Sequence, residues 1–177
     1  AALGTVVDYY SELFSEGESL AGELGDLVFT GSDNDPGTLE TLSGLGFSDP
    51  VTVSESIRKW HYGGYPATRA AKAREHLTEL LPLLLKSISE TGNADAAFAR
   101  FNDFLKRLPA GVQMFALLRN HDHLRQLLID FMASAPRLAE AVIHRAHVVD
   151  GLIDPSFAGN IAEWDSLVES VDALLAD

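Results

Sequence analysis

Cysteine is absent from the 177-residue sequence. Its absence excludes a disulfide framework and any zinc site built on thiolate ligands. Chains without disulfides are typical of the reducing cytosol, so we expect a cytoplasmic protein. The sequence begins AALG rather than with methionine, and helix-like sequence follows at once. We therefore expect this chain to be a piece of a longer protein.

Long hydrophobic runs are also missing. The longest, Leu80–Leu85, is interrupted by Pro82 and is far too short to cross the ~30 Å hydrocarbon core of a bilayer. No basic stretch followed by an apolar one marks a signal peptide. A membrane is therefore not expected as a partner. The apolar content of 46% nevertheless predicts a folded chain with a real core.

Lysine and arginine are absent from both ends of the chain. Residues 1–55 contain 11 acidic residues and residues 147–177 contain 7, with no Lys or Arg in either range. Residues 56–146 hold all 13 basic residues beside 8 acidic ones. The net charge of −13 argues against nucleic acid as a partner, because such binding needs a basic stripe. The basic middle indicates contact with the acidic flanks or with an acidic partner.

No stretch alternates apolar and polar residues in the two-residue period of a β-strand, and no internal repeat or long linker is visible. Apolar residues recur instead at spacings of three and four. We predict an all-α fold, a multi-helix bundle of about eight to ten helices. Residues 1–177 are expected to form one helical domain, with a central bundle at 36–158 and flanking helices in 1–30 and 160–177.

The predicted helix boundaries follow from this periodicity and from capping residues. Proline at position 82 should kink the long fourth helix unless that turn is irregular. The predicted helices are 5–21, 37–47, one opened by Ser48-Asp49-Pro50, 67–89, 94–108, Val112–Arg119, one capped by Asn120, one capped by Ser134 with Pro136 in its first turn, and a last one opened by Asn160 and Glu163.

The loop FTGSDND, residues 29–35, looks like the start of a nucleotidyl-transfer site, in which a Gly-Ser turn holds a triphosphate and paired carboxylates hold Mg²⁺. Such a site needs Asp-x-Asp on a strand and a third carboxylate on a neighbouring strand. Here Asp33 and Asp35 follow the Gly-Ser at once inside a loop, and no Asp-x-Asp follows about ten residues further on, where such a site needs it. The spacing also fails for a calcium loop. We interpret Asp35 as a helix N-cap followed by Pro36, an Asp-Pro opening that recurs at Asp49–Pro50 and Asp154–Pro155.

Other catalytic and metal-binding patterns are weak. His121 and His123 are two residues apart and splay on a helix, whereas His144 and His147 have no glutamate at metalloprotease spacing. No nucleophile elbow and no phosphate-binding glycine loop occurs. We therefore assign no catalytic, cofactor-binding or metal residue, and we expect no cofactor in this chain.

The segment 57–75, IRKWHYGGYPATRAAKARE, is the most unusual stretch because it mixes bases with aromatic residues. One interpretation is a site for an anion or an acidic partner. The other, which we favour, is an electrostatic seam that ties this region to the acidic N-terminal helices, with the aromatic rings in the core. The bases are Arg58, Lys59, Arg69, Lys72 and Arg74, and the aromatic residues are Trp60, Tyr62 and Tyr65.

Two long stretches closely resemble the glutamine synthetase adenylyltransferase family. They are LETLSGLGFSDP…SIRKWHYGGYPATRAAKAREHLTELLPLLL and FNDFLKRLPAGVQMFALLRNHDHLRQLLIDFMASAPRLAEAVIHRAHVVDGLID. The ordered string of LGF, WH, GY, LPLLL, LP-G-VQ, APRLAE and LID is far more specific than any single motif. The resemblance covers nearly the whole chain.

The resemblance implies a bifunctional parent enzyme with two nucleotidyltransferase halves. One half removes AMP from glutamine synthetase by phosphorolysis, and the other adds AMP from ATP to a tyrosine; both would use Mg²⁺. This chain looks like the helical stretch between them, with 1–30 leaving the first catalytic half and 160–177 leading to the second. Glutamine and the PII signalling protein control the family.

Two departures from the family pattern fall in the basic segment. Gly64 stands where a basic residue is expected, and the family's RARE is KARE at Lys72–Glu75. On the resemblance we expect a regulatory or linker domain that couples the two catalytic halves. A second hypothesis is a docking module for glutamine synthetase or the PII protein through 57–75. A third is a stand-alone enzyme that uses the 31–35 loop.

Overall fold

The structure is a computed structural model that describes residues 27–29 and 33–146. This part of the chain contains α-helices and one 3₁₀ turn at Pro66–Thr68, and it contains no strand, which confirms the predicted all-α fold. The predicted helices at 5–21 and 160–177 lie outside the described residues. The helices, numbered here in chain order, are α1 Pro36–Gly44, α2 Pro50–His61, α3 Ala71–Glu90, α4 Ala94–Arg107, α5 Val112–Asn120, α6 Asp122–Ser134 and α7 Pro136–His144.

Both described Asp-Pro pairs begin a helix as predicted. Asp35 is the N-cap of α1, and its Oδ2 accepts a hydrogen bond from Thr38 N at 2.7 Å. Asp49 is the N-cap of α2, and its Oδ1 accepts from Thr52 N at 3.1 Å. These side chains satisfy amides that have no partner within the first turn, and the proline that follows has no amide to satisfy.

Glycine ends the first two helices in the same way. Gly46 has φ of 92° and Gly63 has φ of 72°, a left-handed conformation that other residues rarely adopt. After α1, Phe47 N donates to Leu42 O at 3.2 Å, and after α2 Gly64 N donates to Lys59 O at 2.8 Å. These bonds are those of Schellman motifs, which satisfy the last helical carbonyls. The GLG sequence before Phe47 is therefore part of a helix stop.

Two predicted caps are wrong. Asn120 is the last residue of α5, and His121 occupies the N-cap of α6. Ser134 is the last residue of α6, and Ala135 occupies the N-cap of α7. Neither observed N-cap residue makes a side-chain capping bond. The preceding helices continue through the two polar residues, so the capping propensity of Asn and Ser is overridden.

Helix α3 begins later than predicted. Residues 66–68 form the 3₁₀ turn, and Ala70 is extended with φ −70° and ψ 136°, so the α-helix starts only at Ala71. Pro82 lies inside α3, and the helix continues to Glu90. Proline removes one amide from the helical ladder, but the turn around it is held by burial of Leu81 and Leu84.

The core is built around α3. This helix packs against α2, α4, α5 and α6, while α4 also packs against α6 and α7. An aromatic group joins α2 to α4: the rings of Trp60 and Phe98 stack at 5.3 Å, and those of Trp60 and Phe101 meet edge to face at 6.1 Å. Aromatic pairs at these separations add to the stabilisation that burial alone provides. The bundle therefore fixes the end of α2, where the basic segment 57–75 begins.

Candidate functional site

The loop that resembled a catalytic site is built into the fold. Asn34 Oδ1 accepts hydrogen bonds from Ser54 Oγ at 3.0 Å and from Arg58 Nη2 at 2.6 Å. Asp35 caps α1 through Thr38, as described above. Residues 30–32 of the loop lie outside the described part of the chain. The polar atoms described at Asn34 and Asp35 thus hold α1 and α2 in place.

The basic segment turns a tight corner between α2 and α3. Arg74 Nη1 donates to Thr68 O at 3.0 Å and to Arg69 O at 2.6 Å, so this guanidinium closes the end of the 3₁₀ turn. A Cβ atom at Gly63 would lie 3.3 Å from Thr68 O and 3.3 Å from Arg74 Nη1. The glycine turn after α2 therefore lies directly against the start of α3, and main-chain atoms define the corner.

The five predicted contact residues separate into two groups. Arg58 and Arg74 are half-buried, and their guanidinium groups bond to Asn34 and to main-chain carbonyls. Lys59, Arg69 and Lys72 are exposed. The Lys72 ammonium contacts Glu75 Oε1 at 2.9 Å, and because both side chains are more than half exposed this pair contributes little to stability.

The three aromatic residues of this segment, Trp60, Tyr62 and Tyr65, differ from one another in burial. Trp60 is fully buried, and its Nε1 donates to Asn102 Oδ1 at 3.0 Å. The half-buried Tyr65 donates its hydroxyl to the same oxygen at 3.0 Å. Tyr62 is 70% exposed, so the expectation that all three rings lie in the core is wrong for it. The exposed set Lys59, Tyr62, Arg69 and Lys72 is called the basic corner below.

Two arginines outside the predicted segment have structural roles that sequence reasoning missed. Arg125 is 7% exposed, and its guanidinium donates to Ser87 Oγ, Leu118 O and Asp122 Oδ1. Arg100 donates to the carbonyls at the end of α6. The Asp122–Arg125 spacing of three is a local signal for Arg125. Ser87 lies 38 residues from Arg125, and the carbonyl partners of Arg100 lie 32 and 33 residues away.

The histidines do not converge. His121 and His123 are exposed, and His144 Nδ1 lies 3.2 Å from Arg107 Nη1, while His147 is outside the described residues. Among residues 27–29 and 33–146, no three His, Asp or Glu side chains form a group that holds a metal ion. None of the described helices is long and apolar enough to span a bilayer.

Two other histidines, His61 and His76, have a lowered pKa. The ring of His61 stacks on that of Phe29 at 6.2 Å, and burial lowers the pKa of His61 below its usual value. Burial also lowers the pKa of His76, with smaller contributions from the positive charges of Arg119 and Lys72. Within the described structure the buried Nδ1 of His76 has no hydrogen-bond partner. Both rings therefore favour the neutral form.

The sequence is similar to segments of three long bacterial proteins, each named bifunctional glutamine synthetase adenylyltransferase/adenylyl-removing enzyme. The protein from Agrobacterium fabrum is 48% identical over 168 residues, which are 95% of this chain and 17% of that protein. The one from Brucella suis is 46% identical over 175 residues, 99% of this chain and 18% of that protein. The one from Caulobacter vibrioides is 45% identical over 161 residues, 88% of this chain and 16% of that protein.

No family model and no solved structure matches the chain. These relatives are 45% to 48% identical to this chain over 88% to 99% of its length, which confirms the resemblance inferred from the motifs. The chain is similar to one segment of glutamine synthetase adenylyltransferase proteins, and it spans less than a fifth of the length of these relatives.

Proposed function

We propose that this chain is the helical linker and regulatory domain that joins the two catalytic halves of a bifunctional glutamine synthetase adenylyltransferase. In this role it couples the addition of AMP to glutamine synthetase with its removal, as part of nitrogen regulation in the cytoplasm. The parent enzyme would use ATP and Mg²⁺ in its catalytic halves, and glutamine synthetase and the PII protein would be its partners.

The observation that supports this role most is the match between the whole chain and one short segment of a bifunctional enzyme. The similarity runs over 95% of this chain but only 17% of the Agrobacterium protein. The described part folds around one core centred on α3, so it moves as a unit rather than as a flexible tether. A packed unit of this kind transmits a displacement from one side to the other.

The proposed mechanism is a choice between two relative orientations of the catalytic halves, with this domain as the rigid body between them. An effector shifts such an equilibrium only as far as it binds one orientation better than the other. In this proposal the domain supplies fixed surfaces for both halves, and its helix α3, with 20 residues, extends for about 30 Å.

Replacing residues 36–146 by a Gly/Ser linker in the parent enzyme tests this role. We expect both activities to persist and their opposite responses to glutamine to be lost, because flexible linkers do not hold relative orientation. The matched control carries only Gly44→Ala, an exposed position at which a Cβ meets no atom within 4 Å. Normal switching by the linker variant would refute the proposal.

The second candidate function is docking of an external acidic partner on the basic corner. It is favoured by the exposure of Lys59, Tyr62, Arg69 and Lys72 within one segment, since aromatic rings and arginine are enriched in protein interfaces and complementary charge guides association. Under this proposal the surface receives glutamine synthetase or the PII protein.

Charge reversal distinguishes docking from linkage. Lys59→Glu with Arg69→Glu should weaken binding of glutamine synthetase or PII, with a smaller effect at high salt, because screening reduces exposed interactions. Arg137→Glu with Arg145→Glu, two exposed charges on α7 and just after it, is the control because it changes the net charge by the same amount. If affinity is the same for both variants, the partner binds elsewhere.

A further inference from the structure

The outer face of α2 carries four exposed side chains in a row, Val51, Glu55, Lys59 and Tyr62, which are called the α2 stripe below. Tyr62 follows the last residue of α2 and continues its hydrogen-bond ladder, because its N donates to Arg58 O at 3.0 Å. Spacings of four, four and three residues place the stripe on one side of the helix, opposite its buried face. Four large hydrophobic side chains are exposed in the described part of the chain, and two of them end this stripe.

The two charges in the middle of the stripe have no partner in the described structure. No ion pair or hydrogen bond engages the carboxylate of Glu55 or the ammonium of Lys59 among the described residues. Residues 27–146 contain 13 acidic residues and all 13 basic ones. The bundle that carries the stripe therefore has no net charge that would oppose the approach of a second copy.

We propose that two copies of this chain pair through their α2 stripes, with the helices antiparallel and a two-fold axis beside Ile57. Because a helix rises about 1.5 Å per residue, Glu55 of one copy is then level with Lys59 of the other, and symmetry repeats the pair. Val51 lies about 9 Å from the axis along α2, and Tyr62 lies about 7.5 Å from it in the other direction. Each tyrosine ring therefore packs on a valine of the other copy.

The order of residues in the stripe favours a second copy over an unrelated partner. An acid is followed four residues later by a base, with apolar groups at both ends, so the pattern matches its own complement when the helix is reversed. An isologous contact makes each of these interactions twice. Because Lys59 and Tyr62 also belong to the basic corner, pairing would cover both and would compete with an acidic partner there.

The interface is small, so a weak dimer is expected. Specific, stable protein interfaces bury about 1,200–2,000 Å² in total, which four side chains from each copy do not reach. We expect a dissociation constant on the order of 0.1–1 mM. At this affinity the two ion pairs and the ring contacts decide whether the copies associate.

Charge swaps test the pairing in the 177-residue chain, with translational diffusion and amide shifts followed by NMR as the concentration rises. Glu55→Lys alone, or Lys59→Glu alone, puts like charges opposite each other across the axis and should raise the dissociation constant at least about tenfold. The double variant restores opposite charges and should dimerise as the unchanged chain does. An equimolar mixture of the two single variants should form a heterodimer, because one copy supplies two positive charges and the other two negative ones.

Exposed charges elsewhere provide matched controls. Glu90→Lys on α3 and Arg137→Glu on α7 change the net charge as much as the two single swaps do, and both should leave association unchanged. Equal weakening by these controls would show a general effect of charge and would refute the α2 contact.

Two further results would overturn the proposal. A chain that remains monomeric up to about 1 mM would show that the stripe does not pair with a copy of itself. Association that the single swaps leave unchanged, or that the mixture of single variants fails to restore, would place the contact on another face.

Discussion

Trp60 and Asn102 are joined across the α2–α4 contact by a hydrogen bond of 3.0 Å from the indole Nε1 to the amide Oδ1. The same oxygen accepts the hydroxyl of Tyr65 at 3.0 Å, so one acceptor serves two donors. Trp60 is fully buried, and its Nε1 would have no acceptor if Asn102 were lost. This oxygen therefore ties the basic segment to the core at two points.

Asn102→Ala should lower the free energy of unfolding by about 1–3 kcal/mol, because buried donors left without a partner are costly. Urea unfolding followed by tryptophan fluorescence measures the loss. The control is Asp103→Ala, which removes only a half-exposed contact with Lys106 and should cost less than about 1 kcal/mol. Equal losses from the two variants would mean that the shared acceptor is unimportant.

Gly111 is the tightest glycine in the described structure. A Cβ there would lie 2.2 Å from Ala67 O and 2.4 Å from Phe115 Cε2. Gly111→Ala should therefore destabilise the chain by about 1–3 kcal/mol through overpacking. A Cβ at Gly44 would have no atom within 4 Å, so Gly44→Ala should instead stabilise the fold by about 0.4–1 kcal/mol. Thermal melting of both variants checks the opposite signs, and a stable Gly111→Ala protein would contradict this packing.

Asp33 and Asp35 differ in role although only Asn34 separates them in the FTGSDND loop. Asp35→Ala should cost about 0.5–2 kcal/mol because it removes the N-cap of α1. Asp33 is exposed, so Asp33→Ala should change the free energy of unfolding by less than about 0.5 kcal/mol. Thermal melting with and without millimolar Mg²⁺ separates capping from metal binding: a Mg²⁺-dependent rise in melting temperature that Asp33→Ala abolishes would revive the metal-site interpretation.

The two half-buried imidazoles, His61 and His76, predict a dependence of stability on pH. Burial lowers the pKa of His61 and of His76 in the folded state, so the unfolded chain binds more protons as the pH falls below the usual histidine pKa of about 6.5. Stability from these groups is complete above about pH 6.5 and is lost as the pH falls through the lowered values. Urea midpoints at pH 7.5, 6.0 and 5.0 should therefore decrease in that order, as the sign of this linkage requires.

Substitution identifies the source of that trend. His61→Gln with His76→Gln should flatten the change between pH 7.5 and 5.0, since carboxylates titrate mostly below this window. The control is His123→Gln, which alters an exposed imidazole. A slope that persists in the double variant and vanishes in the control would assign the pH dependence to other groups.

Much of the fold was predictable because local signals determine it. The periodicity of apolar residues located the described helices, and the Asp-Pro pairs located two of their starts. The predicted N-caps at Asn120 and Ser134 are wrong because a polar residue fits the last turn of one helix as well as the N-cap of the next. Local sequence does not show which helix continues through them.

The functional surface was less predictable. Five basic residues in one segment look equivalent in sequence, yet Arg74 binds carbonyls of its own turn while Lys59 is exposed. The bonds of Asn102 to Trp60 and Tyr65, and the bond of Arg125 to Ser87, join residues that lie 37 to 42 positions apart. Such contacts form only when the helices pack, so the spacing of residues within one segment cannot predict them.

The corner between α2 and α3 keeps its shape through main-chain atoms and the half-buried side chain of Arg74. Gly64 N bonds to Lys59 O, and Arg74 bonds to Thr68 O and Arg69 O. None of these bonds uses the side-chain charge of Lys59, Arg69 or Lys72. Related chains are thus free to exchange those three charges without rebuilding the loop, and they can acquire new binding preferences on an unchanged backbone.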